Sequence, residues 1–65
     1  MKLLRKTELL EIVGVSDATL DRMVKAGRFP APVRIGKRAV AWPEAEVREW
    51  LAERAAERDR ERAAG

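Results

Sequence analysis

At 65 residues the chain has room for one domain with a thin core. That is enough for three short helices and a hairpin, and too little for a deep substrate pocket with supporting residues behind it. It contains neither cysteine nor histidine, which excludes disulfides, zinc-finger spacing and histidine acid/base chemistry. The formal charge of +3 conceals an asymmetry, because residues 1–42 carry nine lysines and arginines against four acids, and residues 43–65 carry five against seven.

Positive charge gathered into the first two-thirds of a chain is the footprint of a polyanion-binding face, with ordinary solubility charge as the bland alternative. No cofactor or metal is expected. A small domain without disulfides or metal suits the reducing cytoplasm. The opening MKLLRKTELLEIVG has a basic start but neither a long apolar run nor a small-residue cleavage site, so no secretory signal and no membrane partner are expected.

The first helix is predicted from Thr7, a usable N-cap, to Val13, with Leu9, Leu10, Ile12 and Val13 as its apolar face. Gly14 supplies the left-handed residue that ends it. Ser16 then caps a second helix, with Asp17 in the first turn, where a negative charge suits the helix dipole. The capping box is incomplete, because Thr19 stands where Glu or Gln would complete it. Leu20, Met23 and Val24 form one buried stripe, and Gly27 stops the helix.

After Phe29, Pro30-Ala31-Pro32 favours an extended path. Val33-Arg34-Ile35 and Ala39-Val40-Ala41-Trp42 alternate around Gly36-Lys37, and a Gly-X pair signals a type II′ hairpin. That turn would pair Val33 with Val40 and put Ile35 and Trp42 on one face. Pro43 suits the first position of a third helix, which packs Val47, Trp50 and Leu51 inward and pairs Glu44 with Arg48 outside. Beyond Leu51 the apolar period fails: AERAAERDRERAAG lacks the a and d positions of a coiled coil and reads as a solvated, fraying rod.

The expected architecture is therefore mainly α with a small β-hairpin. It is a winged helix-turn-helix in the order α-α-β-β-α, a single DNA-binding domain over residues 1–53 followed by a charged helical or frayed tail over 54–65. Around Gly14 as the turn, Leu10, Val13, Val15, Leu20 and Met23 hold the inward positions that lock two steeply crossed helices.

In that frame Ser16, Asp17, Ala18, Asp21, Arg22 and Lys25 face outward from the second helix, the one that would enter a DNA major groove. Arg22 is either a guanine reader through two parallel hydrogen bonds or a phosphate contact. Ser16 and Thr19 either donate to phosphates or only cap the helix. Lys25 either reaches a phosphate or pairs with Asp21. Asp17 and Asp21 oppose phosphates, so the expected roles are dipole compensation for Asp17 and a pairing with Arg22 or Lys25 for Asp21. Both would weaken non-specific binding. Arg28 follows the helix-ending glycine, and Arg34, Lys37 and Arg38 form the wing, to meet backbone or a narrow minor groove. Trp42 and Trp50 fall on apolar faces, which favours core packing over base stacking.

Four blocks in order resemble the AlpA-like phage regulators and related small excisionases, which share a MerR-like winged helix-turn-helix. They are G-V-S-x-x-T-L-x-R-M-V from Gly14, G-R-F-P from Gly27, V-R-I-G-K-R-x-V-A-W from Val33, and E-V-x-x-W-L from Glu46. The resemblance runs from about Leu3 to Glu53. It implies DNA contacts from Ser16, Thr19 and Arg22 and from the wing at Arg34, Lys37 and Arg38. The chain departs from the family pattern at Asp17 and Asp21, which bears on the target sequence.

The resemblance implies one of two jobs on double-stranded DNA: regulating transcription of prophage or mobile-element genes, or bending DNA as an excisionase that directs an integrase. RNA polymerase or the recombinase would be the protein partner. Binding would be as monomers side by side on repeated sites or as a weak dimer. A protein-interaction module with an acidic partner is the reading from another class. An enzyme is rejected, because the carboxylates lie on helix surfaces and the usual nucleophile-base pairs have no histidine or cysteine to draw on.

Overall fold

The computed structural model describes residues 1–64; Gly65, the last residue of the expected tail, lies outside the described residues. The elements are β1 (Leu3–Leu4), α1 (Lys6–Val13), α2 (Asp17–Lys25), β2 (Val33–Arg34), β3 (Val40–Pro43) and α3 (Glu44–Ala64). Three helices around a small antiparallel sheet make a winged helix-turn-helix, with β2 and β3 as the wing. The sequence reading did not anticipate β1, which pairs with β3 and makes the strand order β1-β3-β2.

The first helix starts one residue before Thr7, with Arg5 as its N-cap in extended backbone. The Arg5 N–H donates to Glu8 Oε1 at 3.2 Å. Arginine has no acceptor to offer the helix in return, so only half of a capping box forms. Thr7 is therefore helical and not the cap. At the other end Gly14, at φ 76°, donates to the Leu10 carbonyl, the single bond of a left-handed C-cap. Two residues on, Ser16 Oγ accepts from the Thr19 N–H at 3.2 Å and opens α2. Gly27, at φ 73°, closes it. The Arg28 N–H reaches the Met23 carbonyl at 2.9 Å and Gly27 the Val24 carbonyl at 3.1 Å, which together are a Schellman motif.

The wing differs from the expected hairpin. Its glycine, Gly36, does not take the positive φ that a type II′ turn needs, since the left-handed glycines are Gly14 and Gly27. Instead Gly36, Lys37 and Arg38 form a three-residue tip closed by Ile35 N–H to the Ala39 carbonyl at 2.9 Å. One extra loop residue moves the register by one: Val33 faces Ala41 and Arg34 faces Val40. Ile35, on the same side as Val33, thereby shares a face with Ala41 and not with Trp42. Pro43 also moves, from the helix to the end of β3 opposite Leu3, and Glu44 donates to the Lys2 carbonyl at 2.9 Å as α3 begins.

The core gathers Leu4, Leu9, Leu20, Phe29, Trp42 and Val47, with Leu10, Val13, Val15, Met23, Val24 and Trp50 packed around it. Ala41 and Pro43 are buried on the other face of β3, so the central strand is covered on both sides. Two expected core residues are not in it. Ile12 is 51% exposed and Leu51 38% exposed. At 3.6 residues per turn Leu9, Val13 and Leu10 span one arc of α1 and Ile12 falls outside it. Leu51 lies beyond the reach of the sheet that Val47 and Trp50 cover. Both tryptophans fasten the α2–wing connection: Trp42 Nε1 donates to the Pro30 carbonyl at 2.8 Å, and Trp50 Nε1 to the Arg28 carbonyl at 2.7 Å. Phe29 meets Trp50 edge to face, with ring centres 4.8 Å apart.

Past Leu51 the third helix continues without an apolar face as far as Ala64. It is laced by local pairs, Arg54 with Glu57 at 3.1 Å and Arg58 with Asp59 at 3.0 Å. Its projection makes the molecule 47 Å long against 26 and 20 Å in the other directions. Among the described residues, no helix is long and apolar enough to cross a membrane.

Candidate nucleic-acid interface

Leu20 is wholly buried, so its position orients every other residue of α2. Ala18 and Arg22, two residues to either side of it, project from the opposite side of the helix, and Lys25 lies beside them. All three are exposed, as are Ser16, Asp17 and Asp21, whereas Thr19 is half-buried. The Ser16 hydroxyl donates to Thr19 Oγ1 at 2.9 Å, and Arg22 Nη2 donates to the same oxygen at 3.4 Å. Ser16 therefore does two things at once, capping the helix and ordering the hydroxyl that Arg22 leans on. Ser16→Ala is expected to lower stability by about 1 kcal/mol in urea denaturation, the usual loss of a cap.

The basic residues of α2, the turn after it and the wing are exposed and, among the described residues, lack acidic partners: Arg22, Lys25, Arg28, Arg34, Lys37 and Arg38 make no ion pair. Three of the five arginines of α3 do pair: Arg48 with Glu44 at 3.4 Å, and Arg54 and Arg58 with acids of the same helix. Arg34, opposite Val40, and the tip residues Lys37 and Arg38 are all exposed. Between α2 and the wing runs an apolar cleft of about 180 Å³, floored by Val24, Pro32, Val40 and Trp42 and edged by Lys6, Asp21 and Lys25.

The acids of α2 have a different partner from the expected one. Asp21 pairs with neither Arg22 nor Lys25; its Oδ1 is 3.1 Å from the Nζ of Lys6, at the start of α1. Asp17 pairs with the same ammonium. The Asp17 hydrogen bond first, and the Asp21 one second, raise the Lys6 pKa above its ordinary value, so the ammonium stays charged. Lys6 is the residue that sequence reasoning missed. The sequence carried no local signal for it: Asp17 and Asp21 are four apart on one flank of α2, and the cation that meets them comes from α1.

Two helices with a left-handed glycine at their turn, followed by a basic wing and a third helix that packs on β3, define a winged helix-turn-helix protein. The chain belongs to the AlpA family of phage regulatory proteins, since the family model described as prophage CP4-57 regulatory protein (AlpA) matches residues 2–55. It is also similar to an uncharacterized protein, ORF88, of Enterobacteria phage P4. The two are 37% identical over 59 residues, which cover 91% of this chain and 67% of that protein.

Proposed function

We propose that this protein binds double-stranded DNA sequence-specifically and regulates transcription of a prophage or mobile element. In this reading α2 lies in the major groove, Arg22 reads a base edge, Ala18 sits close to the bases, and Ser16, Thr19, Lys25 and Arg28 touch the backbone. The wing contributes Arg34, Lys37 and Arg38 to phosphates or the adjacent minor groove. The observation that carries it is the sorting of charge. Among the described residues, six cations on α2, the turn after it and the wing make no ion pair, while the acids of α2 are held by Lys6. Unpaired, exposed cations in register with a groove-sized helix suit a polyanion, and a solubility surface has no reason to keep its acids away from its cations.

The domain over residues 1–53 supplies all of these groups, and the charged stretch over 54–65 supplies none. The protein would act in the cytoplasm, as monomers side by side on repeated sites or as a weak dimer, in contact with RNA polymerase.

Fluorescence anisotropy on the protein's own upstream DNA and on a scrambled duplex, at two salt concentrations, tests the reading. The native duplex is expected to bind more tightly, and affinity to fall steeply with salt, as roughly four to six phosphate contacts require. Arg34→Ala is expected to weaken both duplexes alike and to reduce the salt slope by about 1. Equal binding to both duplexes, or none, would sink sequence-specific recognition and turn attention to a protein partner. Strong bending of the native duplex would reassign the same surface to an excisionase.

A further inference from the structure

The two carboxylates of α2 pose a problem for a groove-entering helix. Asp21 precedes Lys25 by four residues, the spacing at which a helix pairs its own charges. Left to itself, α2 would tie up one of its DNA-facing cations and present Asp17 as a bare charge to the phosphates. The fold does neither. Lys6, the first residue of α1, reaches both carboxylates through one Nζ. Lys6, Asp21 and Lys25 edge the same cleft between α2 and the wing, so Asp21 stands near both lysines and is bonded to Lys6. Lys6 is also the more buried partner in both pairs. Its side chain is 34% exposed against 64% for Asp17 and 57% for Asp21, and Arg5 alone separates it from β1, which is paired into the sheet through Leu4 and Trp42.

We propose that Lys6 is a positioning residue for DNA recognition: by holding Asp17 and Asp21 it keeps Arg22 and Lys25 free for the duplex. This rests on the DNA-binding reading above. An ammonium has three donors, and two bonds to α2 cross-link α1 to the recognition helix while offsetting the charge nearest the phosphates. Without Lys6, Asp21 turns to Lys25, Asp17 faces the backbone unneutralised, and the duplex meets fewer free cations.

The test is a mutant cycle read by anisotropy on the native upstream duplex, with Lys2→Met as the charge control. Lys2 is 67% exposed and pairs with Glu44, away from α2. Lys6→Met is expected to weaken binding about tenfold or more, and Lys2→Met only about threefold, because the first also frees two carboxylates. In an Asp17→Asn/Asp21→Asn background, Lys6→Met should cost no more than Lys2→Met. Lys6→Arg, which keeps a multi-donor cation, should retain most of the affinity. Purely structural support would lower the stability of Lys6→Met yet leave its salt slope and its cost in both backgrounds unchanged.

Equal cost of Lys6→Met with and without the carboxylates overturns the proposal while leaving DNA binding intact. A wild-type protein that binds no duplex removes both. Should Lys6→Met not fold, Lys25→Met decides. Its cost should be the same in the wild type and in Asp17→Asn/Asp21→Asn, because Lys25 is free in each, and a clearly larger cost in the second background shows that Asp21 had been occupying Lys25.

Discussion

Leu20→Ala is expected to destabilise the protein by about 2–5 kcal/mol and leave a largely unfolded chain, a loss that combines lost burial with the cavity left behind. Leu20 is wholly buried and meets Leu4, Leu9, Phe29, Trp42 and Val47 in a single small cluster. A domain of this size, with no disulfide or metal to staple it, rarely holds more than about 3–5 kcal/mol in its core. One truncation at the centre therefore removes most of what is there. Leu51→Ala is the matched control: the side chain is 38% exposed, and the change should stay within about 0.5 kcal/mol. Urea denaturation followed by circular dichroism and by tryptophan fluorescence measures both. A Leu20→Ala protein that unfolds within about 1 kcal/mol of the wild type would show that the core is not organised around this residue.

Arg22→Ala is expected to erase the preference for the native duplex over a scrambled one, a loss of about 1–3 kcal/mol of discrimination, or roughly fivefold to over a hundredfold in the ratio of dissociation constants. Arg22 stands opposite Leu20 and is exposed. Its contact with the protein is the 3.4 Å hydrogen bond to Thr19 Oγ1, which is long enough to be exchanged for a base edge with little loss. The prediction separates Arg22 from the wing, because Arg34→Ala should lower affinity without changing the preference. If Arg22→Ala weakens both duplexes in equal proportion, Arg22 is a phosphate contact and the reading of bases lies with other residues of α2.

The helix-turn-helix was legible almost to the residue. Gly14, Ser16 and Gly27 end or begin helices through backbone conformation and bonds that span at most five residues. Such devices are written locally, so a reader of the chain finds them locally. The buried stripe Leu20, Met23 and Val24 was legible for the same reason, because helical period alone puts it on one face. The wing was legible as a hairpin but not in its register. Gly36-Lys37 fits a two-residue turn, and only the pairing of β3 with both β1 and β2 selects the three-residue tip. The strand β1 is two residues long, below the length at which alternation carries a signal, and exists because β3 offers it an edge.

Among the residues proposed to bind DNA, types and places in the fold were visible in the sequence while their pairings were not. Arg22, Lys25 and the wing cations follow from the helix and hairpin plan, whereas the partner of Asp21 does not. Within α2 the nearest cation by spacing is Lys25, and it takes the approach of α1 to substitute Lys6. By itself, then, the sequence determined the first two helices, the turn between them, the cap of α2, the charge asymmetry and the family, because each depends on short-range geometry or composition. The tertiary structure alone decided the third strand, the wing register, the exposure of Leu51, and the seizure of Asp17 and Asp21 by Lys6. These depend on which distant segments meet, and that is settled by closing one small core around Leu20, a choice no local propensity encodes.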